Sequence, residues 1–235
     1  MMKADLEVID MIKPFPAEDI VLAADKPGPK IVVACCARSG SKYIKELLRR
    51  LKKDVGHERI LPDGIVSWMI VHPRQIEQIK AVFEKDTTYI HLVRNPVKVI
   101  QSCSRLHVSE GRIGYEPFVE FFPEYKDLSP YEIGAYYWIE WNKRIQKEFN
   151  IDYILRVEDM QQPKQILEFA KWFNLDLNNL VVWVDKLGTN IHTHPWKEAV
   201  DIELNGLFSM EKLLKVNPVA YHDLKRNALE YGYQI

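Results

Sequence analysis

Cysteine is scarce in this chain: three in 235 residues, at Cys35, Cys36 and Cys103. An odd count argues against a disulfide framework, and neighbours at 35 and 36 make no CxxC metal or redox pair. They read as small buried hydrophobes in a reducing compartment. Net charge is nearly absent as well, −1 at pH 7. Without a broad basic field or a recognisable recognition module, nucleic acid is not an expected partner, and any anion site must be local. No apolar run approaches the roughly 20 residues that span a bilayer. The opening MMKADLEVIDMIKPF lacks the basic start and apolar stretch of a signal peptide. A soluble, cytoplasmic chain is the expectation.

The length suits one domain able to bury a core without metals or disulfides. Residues 1–30, punctuated by Pro14, Pro16, Pro27, Gly28 and Pro29, read as an irregular lead-in. Residues 31–235 read as a single domain, with no internal repeat and no low-complexity linker. Ile31 to Ala37 is a continuous, β-branched apolar run, the pattern of a strand buried on both faces. From Ser41 to about Lys53 the period turns helical, with Ile44, Leu47, Leu48 and Leu51 on one face. Residues 54–68 read as a loop. Helices are expected near Pro73 to Phe83, from Pro96 to about Leu106, from Pro130 to Phe149, from Pro163 to Phe173 and from about Pro218 to Tyr231. Strands are expected at Thr87 to Val93 and Asp152 to Arg156. The aromatic stretch 111–128 reads as an ordered loop or lid. Alternating strands and helices imply an α/β fold, a central, mostly parallel sheet flanked by helices.

Two places carry chemistry. The first is the short loop Arg38-Ser39-Gly40-Ser41 between a buried strand and a helix start. First-turn amides and the helix dipole favour an anion there. Gly40 allows close backbone approach. Ser41 is a good cap and adds a hydroxyl. Arg38 and Lys42 add charge. The nucleotide-kinase loop GxxxxGK[ST] does not fit: Cys35 stands where its first glycine belongs, and Ser-Lys follows Gly40. The second place is HLVRNPVKVIQSCSRL, residues 91–106. Arg94 ends a strand, Pro96 starts a helix, and Ser102 lies about two turns into it. A guanidinium fork and a hydroxyl so spaced suit one phosphate.

Together, in this order, the two segments resemble the 5′-phosphosulfate loop and the 3′-phosphate element of sulfotransferases that use 3′-phosphoadenosine-5′-phosphosulfate (PAPS), of the compact bacterial or protein-tyrosine-type branch. Residues 154–160, ILRVEDM, resemble the family's Arg-Tyr-Glu-Asp-Leu segment, with Val157 in place of tyrosine and Glu158 and Asp159 in an architectural role. AlaLeuGluTyrGlyTyr at 228–233 resembles its C-terminal helix end. The resemblance implies a P-loop NTPase-like sulfotransferase fold. It implies metal-independent, in-line transfer of a sulfuryl group from PAPS to an acceptor hydroxyl or amine, with PAP as product. It assigns Arg38, Ser39, Gly40, Ser41, Lys42, Tyr43, Arg94 and Ser102 to the nucleotide. Arg38 stabilises the departing 5′-phosphate. Lys42, where the family usually has threonine, either helps or points to solvent. The base is expected in GlyHisGluArg, residues 56–59, with Glu58 first, His57 second and His72 third.

Ser67 and Trp68 either meet the acceptor, stack on adenine, or belong to the core. His192 and His194 belong to a polar run that either closes over the nucleotide or ligates a metal. Tyr136, Tyr137, Trp138 and Trp141 either line an acceptor pocket or pack the interior. Two other readings compete: a PAP-binding module without catalysis, and an ATP-dependent small-molecule kinase. The acceptor and the oligomeric state stay unassigned.

Overall fold

The structure is a computed structural model, and it describes residues 30–83, 86–110, 116–172 and 208–235. In chain order the main elements are β1 (Lys30–Cys35), α1 (Ser41–Arg50), β2 (Val55–His57), β3 (Gly64–Ser67), α2 (Pro73–Val82), β4 (Thr87–Val93), α3 (Pro96–Glu110), α4 (Glu116–Phe121), α5 (Pro130–Glu148), β5 (Tyr153–Arg156), α6 (Pro163–Trp172), α7 (Met210–Val216) and α8 (Pro218–Glu230). These residues fall into two compact units.

The first unit, which takes in residues 30–94 and 145–172 of those described, contains the sheet. Five strands pair in the order β2-β3-β1-β4-β5, all parallel. On β1, Ile31, Val33 and Cys35 join Ile44, Leu47 and Leu48 of α1 and Ile166, Phe169 and Ala170 of α6 in one apolar cluster. Val32 and Ala34 point to the opposite face and are buried too. The continuous apolar run of β1 is thus covered on both sides, as a central parallel strand requires. β1 lies between β3 and β4, where successive connections leave in opposite directions along the sheet. Ligands of open α/β sheets bind at such a switch point, beyond the carboxyl ends of the strands.

Residues 54–68 are not a plain loop: they contain β2 and β3. The strands are three and four residues long, and their glycines read as turn signals. Gly64 is there for space. Its φ is +141°, and a Cβ on it would lie 1.8 Å from the Ile31 carbonyl oxygen of β1.

The second unit, residues 95–144 and 208–235 of those described, is helical. Its interior is aromatic. Phe118 of α4 is fully buried, its ring 4.9 Å from Phe122, 5.4 Å from Tyr125 and 5.7 Å from Tyr137. Trp138 meets Tyr231 edge-on. Within the stretch expected to be an ordered loop or lid, residues 116–125 form a helix and a 3-10 turn, anchored by Phe118. Tyr137, Trp138 and Trp141 are core, as aromatic residues at helical spacing commonly are. Among the described residues no helix is long and apolar enough to cross a membrane. The lead-in and the run containing His192 and His194 lie outside the described residues.

Candidate functional site

The chain leaves β1 at Cys35 and enters α1 at Ser41 through a tight loop with two left-handed residues, Arg38 at φ 66° and Gly40 at φ 86°. Gly40, not Ser41, is the N-cap, and no side chain closes the helix start. The Gly40 carbonyl accepts the Ile44 amide at 3.1 Å. The amides of Ser41 and Lys42 precede the first intrahelical donor, the Ile44 amide, so they are available to an anion. No acidic side chain stands in this first turn, and Arg49 and Arg50 stand in the last.

The structure separates the loop's side chains by role. Arg38 and Lys42 are exposed. Ser39 is fully buried, its hydroxyl 2.8 Å from the Cys36 thiol. Tyr43 is buried, and its hydroxyl donates to the Met160 carbonyl at 2.6 Å. Burial pushes its phenol up to about 12. The hydroxyls of Ser39 and Tyr43 are thus taken up by Cys36 and Met160 rather than presented by the loop.

Gly40 is confined by Val157, the residue in the place of the family's tyrosine. A Cβ at Gly40 would lie 2.6 Å from Val157 Cγ2, on top of the cost of the left-handed backbone. Gly40→Ala is expected to destabilise the protein by ~2–4 kcal/mol, from the backbone penalty and overpacking together. Urea unfolding checks this. Adding Val157→Ala should recover the overpacking share alone, because it cannot change φ.

The candidate base lies beside this loop. β2 ends at His57, and Glu58 follows in the left-handed region at φ 55°. The register pairs His57 with Val66, which brings Glu58 level with Ser67 at the end of β3. Ser67 donates its hydroxyl to Glu58 Oε2 at 2.5 Å, and the Trp68 amide donates to Oε1 at 3.2 Å. His57 Nε2 lies 3.8 Å from Oε1 and 2.9 Å from the Ser41 hydroxyl. The four side chains of Ser41, His57, Glu58 and Ser67 thus gather at the carboxyl ends of the strands, although the sequence spreads them over 27 positions.

Electrostatics divides the pair. Burial raises the Glu58 carboxyl from 4.5 to about 7, against the opposing hydrogen bonds from Ser67 and the Trp68 and Met69 amides. Burial, with Lys42 and Lys45, lowers the His57 imidazole below its ordinary value. At neutral pH, His57 is uncharged and Glu58 is near half-ionised. A carboxylate poised there suits proton transfer.

Arg94 follows β4 and donates Nη1 to the Arg38 carbonyl at 2.8 Å, so the second sequence element reaches the first. Ser102 is half-buried on α3, in the helical unit. His72 is not placed as a base. It is buried, it caps α2, and its Nδ1 accepts the Arg74 amide at 3.2 Å. Arg156 pairs with Asp159 through two bonds of 2.7 Å, matching the architectural reading of that segment. Among the described residues no three His, Cys, Asp or Glu side chains gather as a metal-ligand set. The Ser67–Glu58 and Ser41–His57 contacts were not legible from the sequence.

No family model and no curated protein sequence matches the chain. Among solved structures it is similar to a sulfotransferase domain from the curacin biosynthetic pathway, at 14% sequence identity and a TM-score of 0.54, covering 90% of this chain and 100% of that one. The fold is sulfotransferase-like: a five-stranded, all-parallel sheet flanked by helices.

Proposed function

We propose that this chain is a PAPS-dependent sulfotransferase acting on a hydroxyl or amine. One observation carries the reading: a half-buried carboxyl and a neutral imidazole stand beside a strand–loop–helix turn, with His57 hydrogen-bonded to Ser41 at the start of that helix. The sulfotransferase-like fold supports it. So does the donor set, in which Arg38, Lys42 and Arg94 join the first-turn amides of α1. This is the chemistry a doubly phosphorylated nucleotide asks for.

In this reading the Ser41 and Lys42 amides and the Arg38 side chain hold the 5′-phosphate. Arg94 reads the 3′-phosphate, and the part of Ser102 there rests on the sequence resemblance. Glu58 takes the proton of the acceptor as its oxygen or nitrogen bonds to sulfur. The sulfur–oxygen bond to the 5′-phosphate breaks, and Arg38 stabilises the charge left on that oxygen. Three free, buried cysteines suit an intracellular site of action.

Calorimetric titration with PAP beside ADP tests the proposal. Binding of PAP at least about tenfold tighter than ADP is expected, since a charge-assisted hydrogen bond to the 3′-phosphate is worth about 1.5–3 kcal/mol. No binding of PAP by folded protein would end the sulfotransferase reading. Equal affinities would favour an ATP-using kinase.

A further inference from the structure

Glu58 has two carboxyl oxygens, and their surroundings differ. Ser67 is fully buried at the end of β3. Its oxygen accepts the Met69 amide at 3.0 Å, and its single proton is donated to Glu58 Oε2 at 2.5 Å. Oε1 takes a longer bond, 3.2 Å from the Trp68 amide, and faces His57 Nε2 at 3.8 Å, on the side where His57 meets the phosphate loop. The backbone of Glu58 itself lies at φ 55°, a conformation a glutamate seldom adopts.

We infer that Ser67 is a positioning residue: its hydroxyl fixes Oε2 of Glu58 and leaves Oε1, on the His57 side, as the oxygen that receives the acceptor's proton. This rests on the proposed transfer reaction for its kinetic consequence, but the Ser67–Glu58 coupling itself does not. Several groups bear on Glu58. His57 is on its own strand, Ser67 and the Trp68 and Met69 amides lie at the end of β3, and the Cys35 thiol of β1 feels its charge. Lys42 and Lys45 of α1 bear on the neighbouring His57. The hydroxyl of Ser67 favours the ionised carboxylate, so its loss has a defined sign.

The test follows the Glu58 side-chain carboxyl by carbon-13 NMR across pH 5–9, in the full chain without nucleotide. Ser67→Ala is expected to move the Glu58 midpoint upward by about one unit, the worth of one hydrogen bond to a charged group. Ser67→Thr, which keeps the hydroxyl, should hold it near that of the parent protein. The pH midpoint of kcat/KM should move with it, at unchanged PAP affinity. A folded Ser67→Ala protein with the parent midpoint would overturn the inference, as would equal shifts in the alanine and threonine variants. If Ser67→Ala fails to fold, the parent protein decides. The Ser67 Cβ resonance should titrate with the Glu58 midpoint, and a resonance that stays flat overturns the assignment. Failure of PAP to bind would remove the kinetic arm and the proposed function together, while the NMR titration would still report on the Ser67–Glu58 coupling.

Discussion

Glu58→Gln is expected to lower turnover by about 10²–10⁴-fold, the ordinary worth of a positioned base, while PAP affinity stays unchanged. The substitution keeps shape and removes the site that accepts the proton. The ionised carboxylate is the active form, so kcat/KM of the parent protein should rise with pH, with a midpoint near 7, and level off above it. The residual rate of the glutamine variant should lack that limb. Unchanged turnover would move the role to His57, which lies 3.8 Å away and is neutral at the same pH. Stability gives a second reading with the sign reversed. Folding raises the Glu58 pKa from 4.5 to about 7, so the folded state binds this proton more tightly than the unfolded chain does. The contribution is fully present below about pH 4.5 and is lost as pH rises through 7. Its ceiling is ~3 kcal/mol, from the size of the shift. Glu58→Gln carries no such loss. Its stability relative to the parent protein should therefore grow between pH 5 and pH 8, as measured by urea unfolding at each pH. A parent protein that loses activity and gains stability on acidification over one pH range would locate both effects in the same carboxyl.

How far the sequence spoke depended on the range of the interaction. β1 and α1 were legible because each is a long, one-period pattern: a run apolar at every position, then apolar residues at helical spacing. β4 and α5 were legible for the same reason, and Pro73, Pro96, Pro130, Pro163 and Pro218 each stand at a helix start, where a missing N–H costs nothing. β2 and β3 were not, since three or four residues flanked by Gly56 and Gly64 carry too little period to outweigh turn signals. Phe118 looked like a loop aromatic until the rings of Phe122, Tyr125 and Tyr137 gathered around it. At the site, the loop and its charges were local and could be read. The direction of each side chain was not. Ser39 and Tyr43 turn inward to Cys36 and Met160, partners that the strand–helix pattern does not name. Glu58 was a candidate through the family resemblance, as an acidic residue shortly after Gly56, but its holder, Ser67, is fixed by the register of two strands.

Arg94→Ala should separate two functions of one guanidinium. If Arg94 reads the 3′-phosphate, PAP affinity should fall by about ten- to a hundredfold, the range for a charge-assisted hydrogen bond. Adenosine 5′-phosphate lacks that group, yet its affinity should fall too, by a smaller factor. Arg94 also donates to the Arg38 carbonyl at 2.8 Å, and Arg38 is a left-handed residue at φ 66° that needs such a partner to stay in place. Losing one neutral-acceptor bond of about 1 kcal/mol loosens the 5′-phosphate loop by roughly fivefold for either nucleotide. The loss common to both ligands measures the hold on the loop, and the excess for PAP measures recognition of the 3′-phosphate. Arg94→Lys should retain part of the excess, because charge survives, and little of the common part, because an ammonium lacks the planar fork that spans a carbonyl and a phosphate at once. Calorimetry with the two nucleotides on the three proteins is sufficient. Equal losses for both ligands would strip Arg94 of the 3′-phosphate and leave it as the clamp on Arg38 alone.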